Sequence, residues 1–357
     1  MQTDWTKLQS QAIDLLRFPM AVAVVVSHYG KIISPDAAGV MKYLRLLAQL
    51  GARWAVPCFF FISGYLFYSQ LQTWDWLVWK EKMKRRVRTL FIPYCLWIII
   101  AFFAFYLYGL ISSEEGSVSL CSFFMNKGGM HIFWSVNGNI PVGPQSVPLD
   151  GPLWFIRDLI YYTVASPLIY FFVTRTKWFG LAALSMAYFM FNPIVPEGIV
   201  FFSAGAFFQI ENKNILSFAW PYRRYLYVAA ILFPLCILLF FHYRRLIEFF
   251  FFFTGIGASF CIAAWLDGEK KVRINPLLVR SSFFVFASHE ILILYQIAVP
   301  IAQKVLPIKG QAGDCLRFFF TPTITVVICL LLLCTLERLL PRVSCILTGD
   351  RRLRVLM

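Results

Sequence analysis

The sequence is poor in charge and in histidine. Only 14% of its 357 residues are Asp, Glu, Lys or Arg, while 59% are hydrophobic and the mean hydropathy is +0.68. A soluble domain carries about 25% charged residues, so this composition excludes a water-soluble globule and sends the apolar surplus toward lipid. The nine cysteines form no C-x-x-C pair and no Cys/His group at ligand spacing, which excludes a zinc site and implies no metal. Only Cys121 and Cys315 fall in predicted outer segments, where a disulfide between them would persist. The first apolar run has no small-residue cleavage site, so it is a retained span and not a removable signal. Internal repeats, low-complexity tracts and signalling domains are absent, and 1–357 reads as one transmembrane domain with no appended soluble domain.

What the chain has in quantity is long apolar runs. A span needs roughly 20 apolar residues, and such runs lie near 15–33, 46–70, 89–110, 152–173, 178–192, 197–210, 225–242, 247–266, 281–303 and 316–340. The fold class expected is all-α and polytopic, with about ten transmembrane helices. The net charge of +15 resembles a nucleic-acid footprint in size only. The basic residues sit in short clusters between apolar runs and nowhere form a continuous stripe, so no nucleic-acid partner is expected. They read instead as topology signals. With the N-terminus inside, the inner segments hold Lys80, Lys82, Lys84, Arg85, Arg86 and Arg88, then Arg175 and Lys177, then Lys213, Arg223 and Arg224. Lys270, Lys271, Arg273 and Arg280 follow, and Arg338, Arg342, Arg351, Arg352 and Arg354 close the chain. Arg244 and Arg245, in a tight outer turn, are the main exception. Both termini are then cytoplasmic. Trp74, Trp76 and Trp79 beside the first basic cluster mark the membrane interface and a lipid contact.

Charges inside hydrocarbon are expensive and are functional candidates by default. They are Arg17 and His28 in the first span, Arg53 in the second, Arg157 and Asp158 in the fourth, Glu248 in the eighth, and His289 with Glu290 in the ninth. Arg17 and His28 are eleven residues apart, about 20° beyond three helical turns, and so share one face roughly 16 Å apart along the axis. Asp14 lies one turn before Arg17 and can hold its guanidinium. Arg85 and Arg88, three apart, share a face on which two guanidiniums suit phosphates, although the positive-inside rule alone also explains a basic cluster there. Arg157 and Asp158 are neighbours that can form an ion pair, but consecutive helical residues point about 100° apart, so they need not pair with each other and each is free to seek a partner on another span.

Taken together, these motifs resemble the membrane-bound acyltransferase family 3, integral-membrane O-acyltransferases of bacterial surface polysaccharides. The resemblance covers nearly the whole chain. It rests on Arg17-x10-His28, on Phe59-Phe60-x-x-Ser63-Gly64-Tyr65-Leu66 within the second span, on Arg85-x-x-Arg88, on Leu153-Trp154-Phe155, and on Ser282-Phe283 with His289. Two positions depart from the family pattern: Phe286 stands where Tyr is common, and Pro152 where His is common. The resemblance implies transfer of an acyl group, most often acetyl, from cytoplasmic acyl-CoA as co-substrate to a sugar hydroxyl of a surface or lipid-linked polysaccharide. It implies His28 as general base, Arg17 and Asp14 as its orienting neighbours, and Arg85 and Arg88 on the CoA phosphates. His289, Glu290, Arg53, Arg157 and Asp158 are the candidates for substrate or oxyanion contacts. A bacterial inner-membrane location follows, and an oligomer is compatible with it. A transporter or flippase for a lipid-linked glycan is the competing class, since buried charges also suit translocation; the lack of inverted repeats counts against it.

Overall fold

The computed structural model describes residues 4–34, 36–69, 71, 73–112, 119–191, 194–268, 272 and 275–349, and among these it is helical with no strand. Lipid offers no partner to a backbone N–H or C=O, and a helix satisfies both within one segment. The principal helices are α1 (Trp5–Ile32), α2 (Val40–Tyr68), α3 (Trp76–Ser112), α4 (Gly151–Val164), α5 (Ser166–Met190), α6 (Glu197–Ile210), α7 (Arg223–Leu239), α8 (Arg244–Gly268), α9 (Pro276–Val305), α10 (Gln311–Leu339) and α11 (Pro341–Leu347). Six of them, α1, α2, α3, α8, α9 and α10, are long and apolar enough to cross a membrane, and α4 with α5 makes a seventh if that pair is one span. The expected basic residues Lys270, Lys271, Arg273, Arg351, Arg352 and Arg354 lie outside the described residues.

The run 152–173 is not one straight span. The chain bends by 68° between α4 and α5, at the point where Pro167 enters. Proline lacks the N–H and collides with the carbonyl four residues back, so a new helix must begin. The Thr163 carbonyl that Pro167 leaves without an N–H accepts from Ser166 Oγ at 2.6 Å, and Ser166 is held in turn by Tyr68 Oη, which donates to its carbonyl at 2.7 Å, and by Trp79 Nε1, which donates to its Oγ at 2.9 Å. A second break at Lys177, with φ of 51°, divides α5.

The Ser63-Gly64 pair has a packing role. A Cβ at Gly64 would fall 2.0 Å from the carbonyl oxygen of Phe202, and one at Gly205 would fall 2.0 Å from that of Phe61. Helices α2 and α6 therefore touch backbone to backbone, the approach that small residues permit between membrane helices. Around this contact an aromatic core of Phe60, Phe155, Tyr162 and Phe202 fills the centre of the bundle. Helix α1 packs against α2, α8, α9 and α10, which makes it the central strut carrying Arg17 and His28. The Trp-rich segment is held by protein as well as facing outward, since Trp74 packs on Trp76, Tyr170 and Phe171. At the opposite end the segment 119–150 folds over the bundle, tied by Val136 N to Val147 O and Leu149 N to Ile132 O.

None of the nine cysteines forms a disulfide. Cys315 Sγ lies 3.9 Å from Met41 Sδ and Cys121 is exposed, so the bridge open to these two does not form.

Candidate active site

Helix α9 is broken immediately after its histidine. Residues His289–Ala298 form a π-helical stretch in which Ile291 and Leu292 leave helical geometry, Leu292 at φ 58°. The left-handed region costs a non-glycine residue roughly 1–2 kcal/mol, and such wide turns recur where a side chain must be re-aimed. In a regular α-helix residues 290 and 295 point about 140° apart; the non-helical backbone at Ile291 and Leu292 between them brings them together. Tyr295 Oη accordingly donates to Glu290 Oε1 at 3.0 Å.

That same oxygen lies 3.1 Å from His28 Nδ1. The His28 and His289 rings meet edge to face with centroids 5.0 Å apart. His289 is fully buried, and its Nδ1 lies 2.8 Å from the Phe286 carbonyl oxygen and 3.1 Å from that of Val285. Carbonyls only accept, so Nδ1 carries the proton and the lone pair of the neutral ring is at Nε2, an atom with no protein partner. The Glu290 carboxylate beside His28 Nδ1 favours a proton on that nitrogen and the lone pair on Nε2, through proximity of charge and not through an aligned hydrogen bond. Two imidazoles and one carboxylate thus converge from α1 and α9 although 261 positions separate His28 from His289 in the numbering.

Two cavities lie near this cluster, one reaching Glu290 and the other Phe286, and neither is lined by a histidine. Toward the basic end, a space of about 170 Å³ is lined by Arg17, Arg86, Ser63, Ser282, Phe155 and Phe286, among others. The Phe286 ring at its wall is 6.4 Å from the His289 ring. Asp14 Oδ1 holds Arg17 Nη1 at 2.9 Å. Arg85 and Arg88 are exposed, and Arg86 between them is the one that turns inward. A π-turn at Val87–Phe91 alters the helical phase just past this cluster, which the i, i+3 spacing of the two arginines gave no means to see. Toward the loop end, a second cavity of about 240 Å³ is lined by Asp150, Gly151, Glu290, Leu292, Tyr295 and Gln296, with apolar walls from α3 and the loop. Asp150 and Tyr295 lie in no motif and went unmarked in the sequence.

Two candidates take other roles. Arg157 and Asp158 pair with each other: Nε and Nη2 of Arg157 donate to Asp158 Oδ1 at 2.9 and 2.7 Å. Nη1 donates to the carbonyls of Trp134 and Ser146, both at 2.7 Å, and Nη2 to that of Gly143 at 3.1 Å, while Asp158 Oδ2 accepts from Gly143 N at 2.8 Å. All five guanidinium N–H groups are spent on Asp158 and the loop, so Arg157 has none left for an oxyanion. The long arginine side chain folds back over its neighbour because the loop carbonyls lie directly above α4. Arg53 is engaged with Glu248 at 2.8 Å, which also binds Arg244 at 2.7 Å, and stacks on Phe252.

The sequence matches the family described as an acyltransferase domain over residues 10–336. It is similar to the succinoglycan biosynthesis protein ExoH of Rhizobium meliloti (strain 1021), 26% identical over 383 aligned positions that cover 96% of this chain and 92% of the relative. No solved structure matches it.

Proposed function

The chain belongs to this acyltransferase family, and on that premise we propose that it is a multi-pass O-acyltransferase of the bacterial inner membrane. It moves an acyl group, most simply acetyl, from cytoplasmic acyl-CoA to a sugar hydroxyl of a surface or lipid-linked polysaccharide. In this reading the ten apolar stretches all cross the bilayer and both termini are cytoplasmic. The similarity to a succinoglycan biosynthesis protein supports a polysaccharide acceptor. The observation that carries the reading is the pair of cavities, one basic and one acidic, that approach a His28–Glu290–His289 cluster from opposite ends of the bundle.

The donor enters from the basic end. Arg85 and Arg88, exposed there, meet the outer phosphates of CoA, while Arg17 and Arg86 in the cavity wall draw the donor inward. Its extended pantetheine arm carries the thioester past Ser63 and Ser282 toward Phe286. His28 Nε2 then accepts the proton of the sugar hydroxyl as its oxygen attacks the thioester carbonyl. The tetrahedral intermediate collapses by breaking the carbon–sulfur bond, and the imidazolium returns the proton to the departing thiolate. Glu290 steadies that imidazolium, and Asp14 keeps Arg17 in place. A general base of this kind is worth about 10²–10⁴-fold.

The test is His28→Ala in cells, with mass spectrometry of the surface polysaccharide and membrane-fraction immunoblotting. Normal protein level with O-acylation lost is expected. Persistent acylation with failed glycan export would refute the proposal in favour of translocation.

A further inference from the structure

The loop-end cavity holds an uncommon combination. Asp150 is 1% exposed, and neither carboxylate oxygen has a hydrogen-bond partner. Glu290 commits Oε1 to His28 and Tyr295 but leaves Oε2 buried and unpartnered, pressed so close to Gly151 that a Cβ there would lie 2.7 Å from it. A buried acceptor left without a donor costs about 1–3 kcal/mol, and more when charged, so a fold that keeps three such oxygens around one cavity is shaped for something that brings donors. Burial first, and then the charge of Glu290, push the Asp150 carboxyl well above the usual carboxylate range.

We propose that Asp150 and the free oxygen of Glu290 form the binding subsite for the acceptor, a single neutral sugar ring whose hydroxyls donate to both carboxyl groups. This deepens the acyltransferase reading and rests on it. The walls suit a sugar, since Phe105, Val136 and Leu149 offer an apolar surface to its C–H face while Gln296 adds an amide. The volume, about 240 Å³, falls just under the roughly 300–1,000 Å³ of small-molecule sites, which suits one ring and not a length of polymer. Among the described residues no three His, Cys, Asp or Glu side chains gather as a metal site would require. Glu290 belongs to both this subsite and the histidine cluster, so a ring held here lies beside the base that activates it.

The experiment is steady-state kinetics of purified Asp150→Asn and Asp150→Ala, using acetyl-CoA and oligosaccharides released from the host's own surface polysaccharide, with melting of each variant in detergent. Asp150→Asn is expected to raise acceptor KM about threefold to tenfold, the loss of one hydrogen bond to a buried carboxyl group, with donor KM unchanged. Its melting temperature should hold, because a buried carboxyl without a hydrogen-bond partner is replaced by an amide of the same shape. An unchanged acceptor KM in an active enzyme would overturn the subsite alone, as would a fall in melting temperature for both variants with kcat and both KM values altered together. Loss of wild-type activity on chelation, restored by calcium, would overturn it in favour of a cation. A wild-type protein that transfers no acyl group would sink the acyltransferase reading itself.

Discussion

Replacing Glu290 by Gln isolates the contact between α1 and α9. At the observed 3.1 Å between Glu290 Oε1 and His28 Nδ1, a full charge pair at an effective dielectric near 20 is worth about 5 kcal/mol before any offset. The two side chains are 20% and 10% exposed, so solvent screens little of it. That attraction is absent while His28 is neutral and develops as the ring takes the hydroxyl proton, so it lowers the barrier without tightening substrate binding. Glutamine retains an oxygen for Tyr295 but not the charge, and its amide can turn an N–H toward Nδ1, which would favour the wrong tautomer. About 3 kcal/mol of the gross value is expected to be lost, roughly a hundredfold or somewhat more in kcat at 1.36 kcal/mol per decade. The assay is continuous detection of the CoA thiol released by purified protein at saturating acyl-CoA and glycan, with donor KM measured alongside. Donor KM should stay put, since Glu290 does not line the Arg17–Arg86 cavity. A kcat within about threefold of wild type would show that the carboxylate does not serve the base, and the tautomer assignment would fall with it.

Arg86→Gln should raise donor KM about tenfold to a hundredfold, the loss of a charge-assisted phosphate contact, whereas the exposed Arg85→Gln and Arg88→Gln together should cost only about twofold to fivefold; equal effects from the two replacements in acyl-CoA titrations would refute the inward turn of Arg86. Arg157→Met leaves Asp158 as an unpaired buried charge and frees three loop carbonyls, so a destabilisation of about 3–5 kcal/mol is expected, read as a lower melting temperature and faster proteolysis of the 134–146 segment. A melting temperature equal to wild type would mean that the arginine does not clamp the loop.

How much of this was legible beforehand varies from residue to residue. The expected pairing of Arg17 and His28 on one face holds because α1 runs unbroken through Pro19, and helical arithmetic needs nothing else. Arg85 and Arg88 were visible as a spacing, but which of three neighbouring arginines enters the bundle depends on which face of α3 packs inward, and the spacing does not encode that. Arg157 and Asp158 stood out as intramembrane charges, yet their use depends on the 134–146 loop settling above α4. The kink at Ser166 was written in Pro167 and is a local effect of the missing N–H.

By itself the sequence determined the helical class, the membrane setting and the short roster of charges that had to have a reason for being there, because scarcity of charge and the period of the helix are properties of neighbouring residues. Only the tertiary structure decided that Glu290 meets His28, that His289 offers Nε2, and that Asp150 closes an acidic cavity beside them. Those contacts join segments more than a hundred residues apart through a break in α9, and their geometry is set by how the helices pack, which no local pattern encodes.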